Sequence, residues 1–168
     1  NMKKYDVWGV RRAGNHGIIE WISSHFNKTV HNNDIIKNKP WRIKKYETGF
    51  KHKKVDLVID SYEDFEPTEI NDNTIIVLRD WYNVCASRLV SGRDWESSCR
   101  KCDEQQYGRN CDEVYLKYCK LWEKHPDKFI LYNRWCSDEN YEKEIEKRYG
   151  WKRFPRQNKL PESGIGSG

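Results

Sequence analysis

The 168-residue sequence lacks any apolar run that approaches the length of a membrane-spanning helix, which is about 20 residues. It also lacks a signal-peptide pattern at its start, and no internal repeat or low-complexity segment stands out. Asn1 precedes Met2, so we interpret Met2 as the natural start and Asn1 as a residue left by cloning. Together these absences predict a cytoplasmic protein without a membrane partner.

The composition is that of a globular protein. Hydrophobic residues make up 36% and charged residues 34% of the sequence, a balance that excludes a disordered chain. At this length we expect one domain, residues 1–168, in which residues 163–168 form a flexible tail or a loop cut off from more protein. The net charge of +5 is spread along the chain, which favours a solvated surface over a nucleic-acid footprint and fits an anionic ligand such as a nucleotide equally well.

Short apolar segments alternate with helical patterns along the chain. The predicted strands are residues 7–10, 55–59, Thr74–Leu78 and 129–132. Helical stripes follow them, beginning near Ile18, Asn83, Val114 and Tyr141, and Gly150 is the predicted end of the last helix. Residues 31–54 give no assignable pattern. The alternation predicts an α/β fold of three layers, with a mostly parallel central sheet and helices on both faces.

The segment from Gly9 to Gly17 joins the first predicted strand to the first predicted helix. Gly9 and Gly14 have the G-x-x-x-x-G spacing of a Walker A motif, in which backbone N–H groups at a helix N-terminus bind phosphate. Glycine lets the backbone approach such a ligand closely. The spacing therefore predicts a phosphate-binding loop, and the alternative is an ordinary turn between a strand and a helix.

The two residues after Gly14 depart from the Walker A motif. Asn15 stands where the motif requires Lys, and His16 stands where Ser or Thr would hold Mg²⁺. Arg11 and Arg12 could supply the positive charge instead, because a guanidinium matches the geometry of phosphate oxygens. We therefore expect phosphate binding without a catalytic metal.

A second candidate phosphate ligand follows the strand Thr74–Leu78. Arg79 comes directly after this strand, and Ser87 lies eight residues further on, in the predicted helix. Ligands of open α/β sheets bind at the carboxyl ends of the strands, so Arg79 should face the same crevice as the glycine loop. The alternative is that Arg79 pairs with a surface carboxylate such as Asp80.

These segments together resemble the sulfotransferase family, whose donor is 3′-phosphoadenosine 5′-phosphosulfate (PAPS). Arg12-Ala-Gly-Asn-His resembles the family's 5′-phosphosulfate loop, and the segment from Ile75 to Arg88 is similar to its 3′-phosphate motif. The segment from Phe129 to Asp138 is similar to the family's late strand–helix unit. The resemblance spans most of the chain in the right order and implies a P-loop-like fold.

The resemblance also implies an activity and the residues that perform it. The reaction would be metal-independent, in-line transfer of a sulfuryl group from PAPS to a hydroxyl or amine. The nucleotide product would be 3′-phosphoadenosine 5′-phosphate (PAP). The implied nucleotide-binding residues are Arg11, Arg12, Ala13, Gly14, Asn15, His16, Gly17, Arg79 and Ser87, with Tyr132 near the adenine. Arg12 would stabilise the leaving group. The first candidate for the general base is Glu63, and the alternatives are Asp60, Asp64 and His16.

A group of cysteines in the middle of the chain is a candidate metal site. Cys99-x-x-Cys102 precedes Cys111 and Cys119, and His125 is another possible fourth ligand. Four such side chains could hold a structural Zn²⁺ in tetrahedral geometry. Free thiols or a disulfide are the alternatives.

Two other functions fit part of the pattern. A P-loop nucleotide kinase or phosphotransferase would need the Lys and the Ser or Thr that the loop lacks. A non-catalytic module that binds nucleic acid through Lys, Arg and Trp would leave the two phosphate motifs unexplained, so nucleic acid is not the expected partner. The acceptor pocket would lie in residues 31–54 and 94–110, which carry no readable specificity signal.

Overall fold

A computed structural model describes residues 2–33, 35, 55–90 and 111–152. Within them, five strands form one sheet in the order β2-β3-β1-β4-β5, and every neighbouring pair is parallel. The strands are β1 (Lys3–Gly9), β2 (Thr29–Asn32), β3 (Leu57–Glu63), β4 (Thr74–Leu78) and β5 (Phe129–Leu131). The helices are α1 (Asn15–Ser23), α2 (Trp81–Val90), α3 (Cys111–Lys124), α4 (Tyr132–Ser137) and α5 (Glu139–Tyr149), with a 3₁₀ turn at Pro126–Lys128.

The apolar pattern of each strand explains its place in the sheet. All five residues of β4 are buried, as expected of a strand that is covered on both faces in a parallel sheet. The exposed start of β1 contrasts with its end, where Val7, Trp8 and Gly9 are buried. The predicted α/β class and the predicted parallel sheet are therefore confirmed for the described residues. No helix among these residues is long and apolar enough to cross a membrane.

An aromatic cluster fixes the C-terminal end of α1 against the last described residues. The rings of Trp21 and Trp151 meet edge to face, with centroids 5.7 Å apart, and Trp151 Nε1 donates to Tyr5 Oη at 3.1 Å. His25 Nε2 lies 2.8 Å from Glu146 Oε2, and the two side chains are only 1% and 5% exposed. These contacts join α1, α5 and the start of β1 at the end of the sheet remote from the β1–α1 connection.

Several predicted boundaries were wrong, and strand pairing explains the largest error. β3 runs on to Glu63 because its pairing with β1 continues to the Gly9–Glu63 register. Asp60 and Glu63, which were predicted to follow a strand at 55–59, thus lie within β3. At the other boundaries, α1 already begins at Asn15, and Tyr132 opens α4 rather than ending β5. The short edge strand β2 was not predicted, because three of its four residues are polar.

Candidate functional site

The candidate site lies at the carboxyl ends of β1, β3 and β4. β1 is flanked by β3 and β4, while the chain leaves β1 through α1 to reach β2 on the far side of β3. A sheet whose connections diverge in this way opens a crevice beside the central strand, and ligands of α/β proteins bind there. The β1–α1 loop (residues 10–14), Asp64 and Arg79 meet at this edge.

The β1–α1 loop has two residues with left-handed backbone conformation. Arg12 has φ 69° and Gly14 has φ 88°, and Gly14 is the N-cap of α1 without a side-chain hydrogen bond. The first bond across the start of α1 runs from Ile18 N–H to the Gly14 carbonyl at 3.1 Å. The amides of Asn15–Gly17 therefore precede the first N–H group that donates across the start of the helix, and they carry the positive end of the helix dipole. An anion placed beside the loop would be stabilised by this geometry.

Both glycines of the Walker-like spacing are required by close contacts. A Cβ on Gly9 would collide with the side chain of Asn15, and a Cβ on Gly14 would collide with the ring of Tyr132. Asn15 is 5% exposed, and its Nδ2 donates to the Val10 carbonyl at 3.2 Å. The Asn15 side chain therefore closes the loop on itself.

Arg11 and Asp64 form an ion pair beneath this loop. Asp64 follows β3, is 1% exposed, and accepts hydrogen bonds from Arg11 N–H at 2.9 Å and Arg11 Nε at 2.6 Å. Arg88 Nη2 lies 3.6 Å from the same carboxylate and donates to the Arg11 carbonyl at 3.2 Å. Arg88 was not predicted to be a residue of the site. The signal was its position four residues after the buried Val84, on the same face of α2.

Arg79 contacts the loop directly. Its Nη1 donates to the Arg12 carbonyl at 2.9 Å, and its guanidinium lies 5.0 Å from the centre of the Tyr132 ring. The two predicted phosphate motifs therefore adjoin each other. Tyr132 is 4% exposed and packs against Gly14, so in this structure its ring supports the loop. Ser87 is half-buried in α2.

Two of the candidate bases lie together. Glu63 Oε1, at the end of β3, is 3.9 Å from Nε2 of His16 in the first turn of α1. The ring of His31 meets that of His16 edge to face, with centroids 5.8 Å apart, and His31 Nε2 lies 2.8 Å from Ser61 Oγ. His31 was missed because β2 was missed.

The other two candidate bases are engaged elsewhere. Side chains alternate along a strand, so Asp60 faces the opposite side of the sheet from Glu63. Its carboxylate lies 3.2 Å from Lys4 Nζ and accepts a hydrogen bond from Asn32 Nδ2 at 2.7 Å. Asp64 is buried against two arginines. The structure therefore brings Glu63 and His16 together and separates Asp60 from them.

Two of the predicted zinc ligands cannot be placed. Cys99 and Cys102 lie outside the described residues, while Cys111 opens α3. Cys119 lies two turns further on as a half-buried free thiol, and burial raises its pKa with a smaller contribution from Glu123. Within the described ranges, no three His, Cys, Asp or Glu side chains are grouped so that they could hold a metal. The zinc site stays a prediction.

Comparisons with protein-family models, with curated proteins and with solved structures find no match for this chain. A function for this chain is therefore inferred from the residues of the site and from their geometry.

Replacing Gly14 by Ala should destabilise the protein more than replacing Gly150 by Ala. Both glycines have positive φ, which costs an L-residue about 1–2 kcal/mol, but a Cβ on Gly150 would meet nothing within 4 Å. Gly14→Ala adds the collision with Tyr132, and overpacking of this kind costs about 1–3 kcal/mol more. Urea unfolding of both variants measures the difference. Equal losses of unfolding free energy would contradict the close packing of Tyr132 on the loop.

The stability of the protein should depend on the protonation of His31. Burial lowers the pKa of this imidazole from 6.5 to about 4, assisted by His16 and opposed by Asp60. Between these two pH values the unfolded chain binds more protons than the folded protein, so the free energy of unfolding should rise with pH. The contribution is complete above about pH 6.5 and is lost as the pH falls to about 4. Urea unfolding at several pH values between 4.5 and 7.5 measures how the free energy of unfolding depends on pH. This free energy should rise less steeply with pH for His31→Gln than for the unmodified protein. An identical pH dependence would contradict the burial of this ring.

Proposed function

We propose that this chain is a PAPS-dependent sulfotransferase with a P-loop-like, three-layer fold. The observation that carries the proposal is the contact between Arg79 and the β1–α1 loop. This contact joins the two segments that resemble the family's two phosphate motifs at one edge of the sheet. A bisphosphorylated nucleotide needs two anion-binding points in one crevice.

The residues at this edge supply different parts of a nucleotide site. The amides of Asn15–Gly17 and the guanidinium of Arg12 would hold the 5′-phosphosulfate, since both are donors at the positive end of α1. Arg79 and Ser87 would hold the 3′-phosphate. Donors that are already in place at the leaving phosphate lower the barrier, because they need no reorganisation as charge develops.

Glu63 and His16 are the groups suited to accept the proton of the acceptor. They are partly exposed, with side chains 15% and 38% accessible, whereas Asp64 is 1% accessible. A base must lie within reach of the acceptor, so accessibility favours this pair. PAPS would supply the activated sulfuryl group, and the acceptor would be a hydroxyl or an amine.

The loop offers less support for a nucleotide kinase. A Mg²⁺-dependent P-loop enzyme uses a Lys and a Ser or Thr at the positions that Asn15 and His16 occupy. Here the side-chain amide of Asn15 donates a hydrogen bond to the Val10 carbonyl, so this side chain acts within the loop. Binding of Mg²⁺-ATP in preference to PAP would favour the kinase over the sulfotransferase.

PAP should bind to the protein and raise its melting temperature, because a ligand that binds only the folded state stabilises it. Titration calorimetry should show that Arg79→Met weakens PAP binding by about tenfold or more, as expected from the loss of a charged hydrogen bond worth about 1.5–3 kcal/mol. The control is Lys143→Met, which removes one positive charge from the exposed face of α5.

Three outcomes of this titration are informative. Weaker binding by Arg79→Met alone supports the assignment. Equal weakening by both variants would indicate general attraction of an anion to a basic protein. If the unmodified protein does not bind PAP at millimolar concentration, the proposed function is wrong.

Arg12→Ala should lower the turnover of PAPS far more than it lowers the stability. Arg12 is half-buried in the loop, and both Arg and Ala must adopt the same left-handed backbone there, so the strain is similar. Loss of one donor to a developing oxyanion typically reduces kcat by about 10²–10³. Release of PAP in the presence of an acceptor library measures the effect. An unchanged rate would remove Arg12 from the mechanism.

A further inference from the structure

The Asp64 cluster, which consists of Asp64, Arg11 and Arg88, is the most deeply buried group of charges at the candidate site. The side chains of these residues are 1%, 17% and 3% exposed. Burial of three charges is costly, and it is tolerated only when the charges compensate one another with good hydrogen-bond geometry. The proposed chemistry uses neither Asp64 nor Arg88, so their burial calls for a different explanation.

The cluster holds both peptide groups that flank the Cα of Arg11. Asp64 Oδ1 accepts the N–H of Arg11 at 2.9 Å, and Arg88 Nη2 donates to the carbonyl of Arg11 at 3.2 Å. The next carbonyl, that of Arg12, accepts from Arg79 Nη1 at 2.9 Å. Side chains from the end of β3, from the end of β4 and from α2 therefore hold consecutive peptide groups of the β1–α1 loop.

The backbone on each side of these contacts is in an uncommon conformation. Arg12 has φ 69° and Asp64 has φ 61°, and left-handed conformation is rare for residues other than glycine. Asp64 N–H also donates to the Gly9 carbonyl at 3.1 Å, which joins the ends of β1 and β3. Such conformations persist only where the surroundings hold them, and they concentrate at functional sites.

The geometry points to Asp64 as a positioning residue that acts through Arg11 and Arg88 to keep the β1–α1 loop in its anion-binding shape. The inference deepens the proposed function and rests on it, since the bound anion would be the 5′ group of PAPS or PAP. In this arrangement the Arg11 side chain supports the loop from Asp64, and direct contact with the nucleotide is left to Arg12 and the amides of α1.

Asp64→Asn tests the inference with little change in shape. Asn tolerates the left-handed conformation as well as Asp does, and it keeps one side-chain oxygen for the Arg11 amide. It loses the negative charge, and an NH2 donor replaces Oδ2, so the hydrogen bond from Arg11 Nε must fail. We expect PAP binding to weaken by about tenfold or more, since small displacements of positioning groups have effects of this size or larger. Amide exchange of residues 11–17 should accelerate by a similar factor.

Two controls separate positioning from general stability. Asp72→Asn makes the same chemical change at a fully exposed carboxylate and should leave both readouts unchanged. Glu146→Gln should destabilise the protein through its buried contact with His25, at the opposite end of α1. If Asp64 acts by positioning, Glu146→Gln lowers the melting temperature but leaves PAP affinity and the exchange of residues 11–17 near those of the unmodified protein.

A milder variant keeps the test decisive if Asp64→Asn does not fold. Arg88→Lys retains the positive charge but loses Nη2, the nitrogen that contacts both Asp64 and the Arg11 carbonyl, and replaces it with an ammonium on a shorter side chain without the fixed guanidinium geometry. It should also accelerate exchange in residues 11–17. Unchanged exchange and unchanged PAP affinity in a folded variant would overturn the inference. If the unmodified protein does not bind PAP, the proposed function fails, whereas the exchange measurement still decides whether Asp64 holds the loop.

Discussion

The ion pairs that the buried carboxylate of Asp64 makes with two arginines are the interaction on which the shape of the candidate site depends. A buried carboxylate is stable only with compensating donors, and here they come from Arg11 and Arg88. Arg11 belongs to the β1–α1 loop and Arg88 to α2, so one charge at the end of β3 links two other segments. Because β1 and β3 are paired, Asp64 lies next to the loop that follows β1, and its ion pairs hold that loop in a defined shape.

Tertiary contacts hold helix α1 at both of its ends. A nine-residue helix is marginal in isolation, so its position must come from tertiary contacts. At its N-terminus, Asn15 bonds the Val10 carbonyl and Gly14 packs on Tyr132. Beyond its C-terminus, His25 bonds Glu146 in a buried contact. These contacts fix the position of the helix, and with it the position and direction of the N–H groups at its N-terminus.

The α/β class with a parallel sheet, and the position of the connection between β1 and α1, could be predicted from the sequence because both have local signatures. Thr74–Leu78 is a continuous apolar run, and the glycine spacing lies next to a helical stripe. The Asp64 cluster has no local signature, since Asp64 and Arg88 contact Arg11 from 53 and 77 residues away in the chain. From the sequence alone, charged residues that are so far apart in the chain are expected to lie on the surface, and only the folded structure shows that they contact one another.

The same reasoning explains why the roles of the candidate acids were not separable beforehand. Asp60 and Glu63 differ by three positions, so in a strand they face opposite sides of the sheet. Their different surroundings follow from that alternation: Asp60 meets Lys4, and Glu63 meets His16. Only the extension of β3 through both residues, which β1 imposes by pairing, determines which acid shares a face with the loop. The different surroundings of the two acids are thus a consequence of strand register, and they would be exchanged by a shift of one residue.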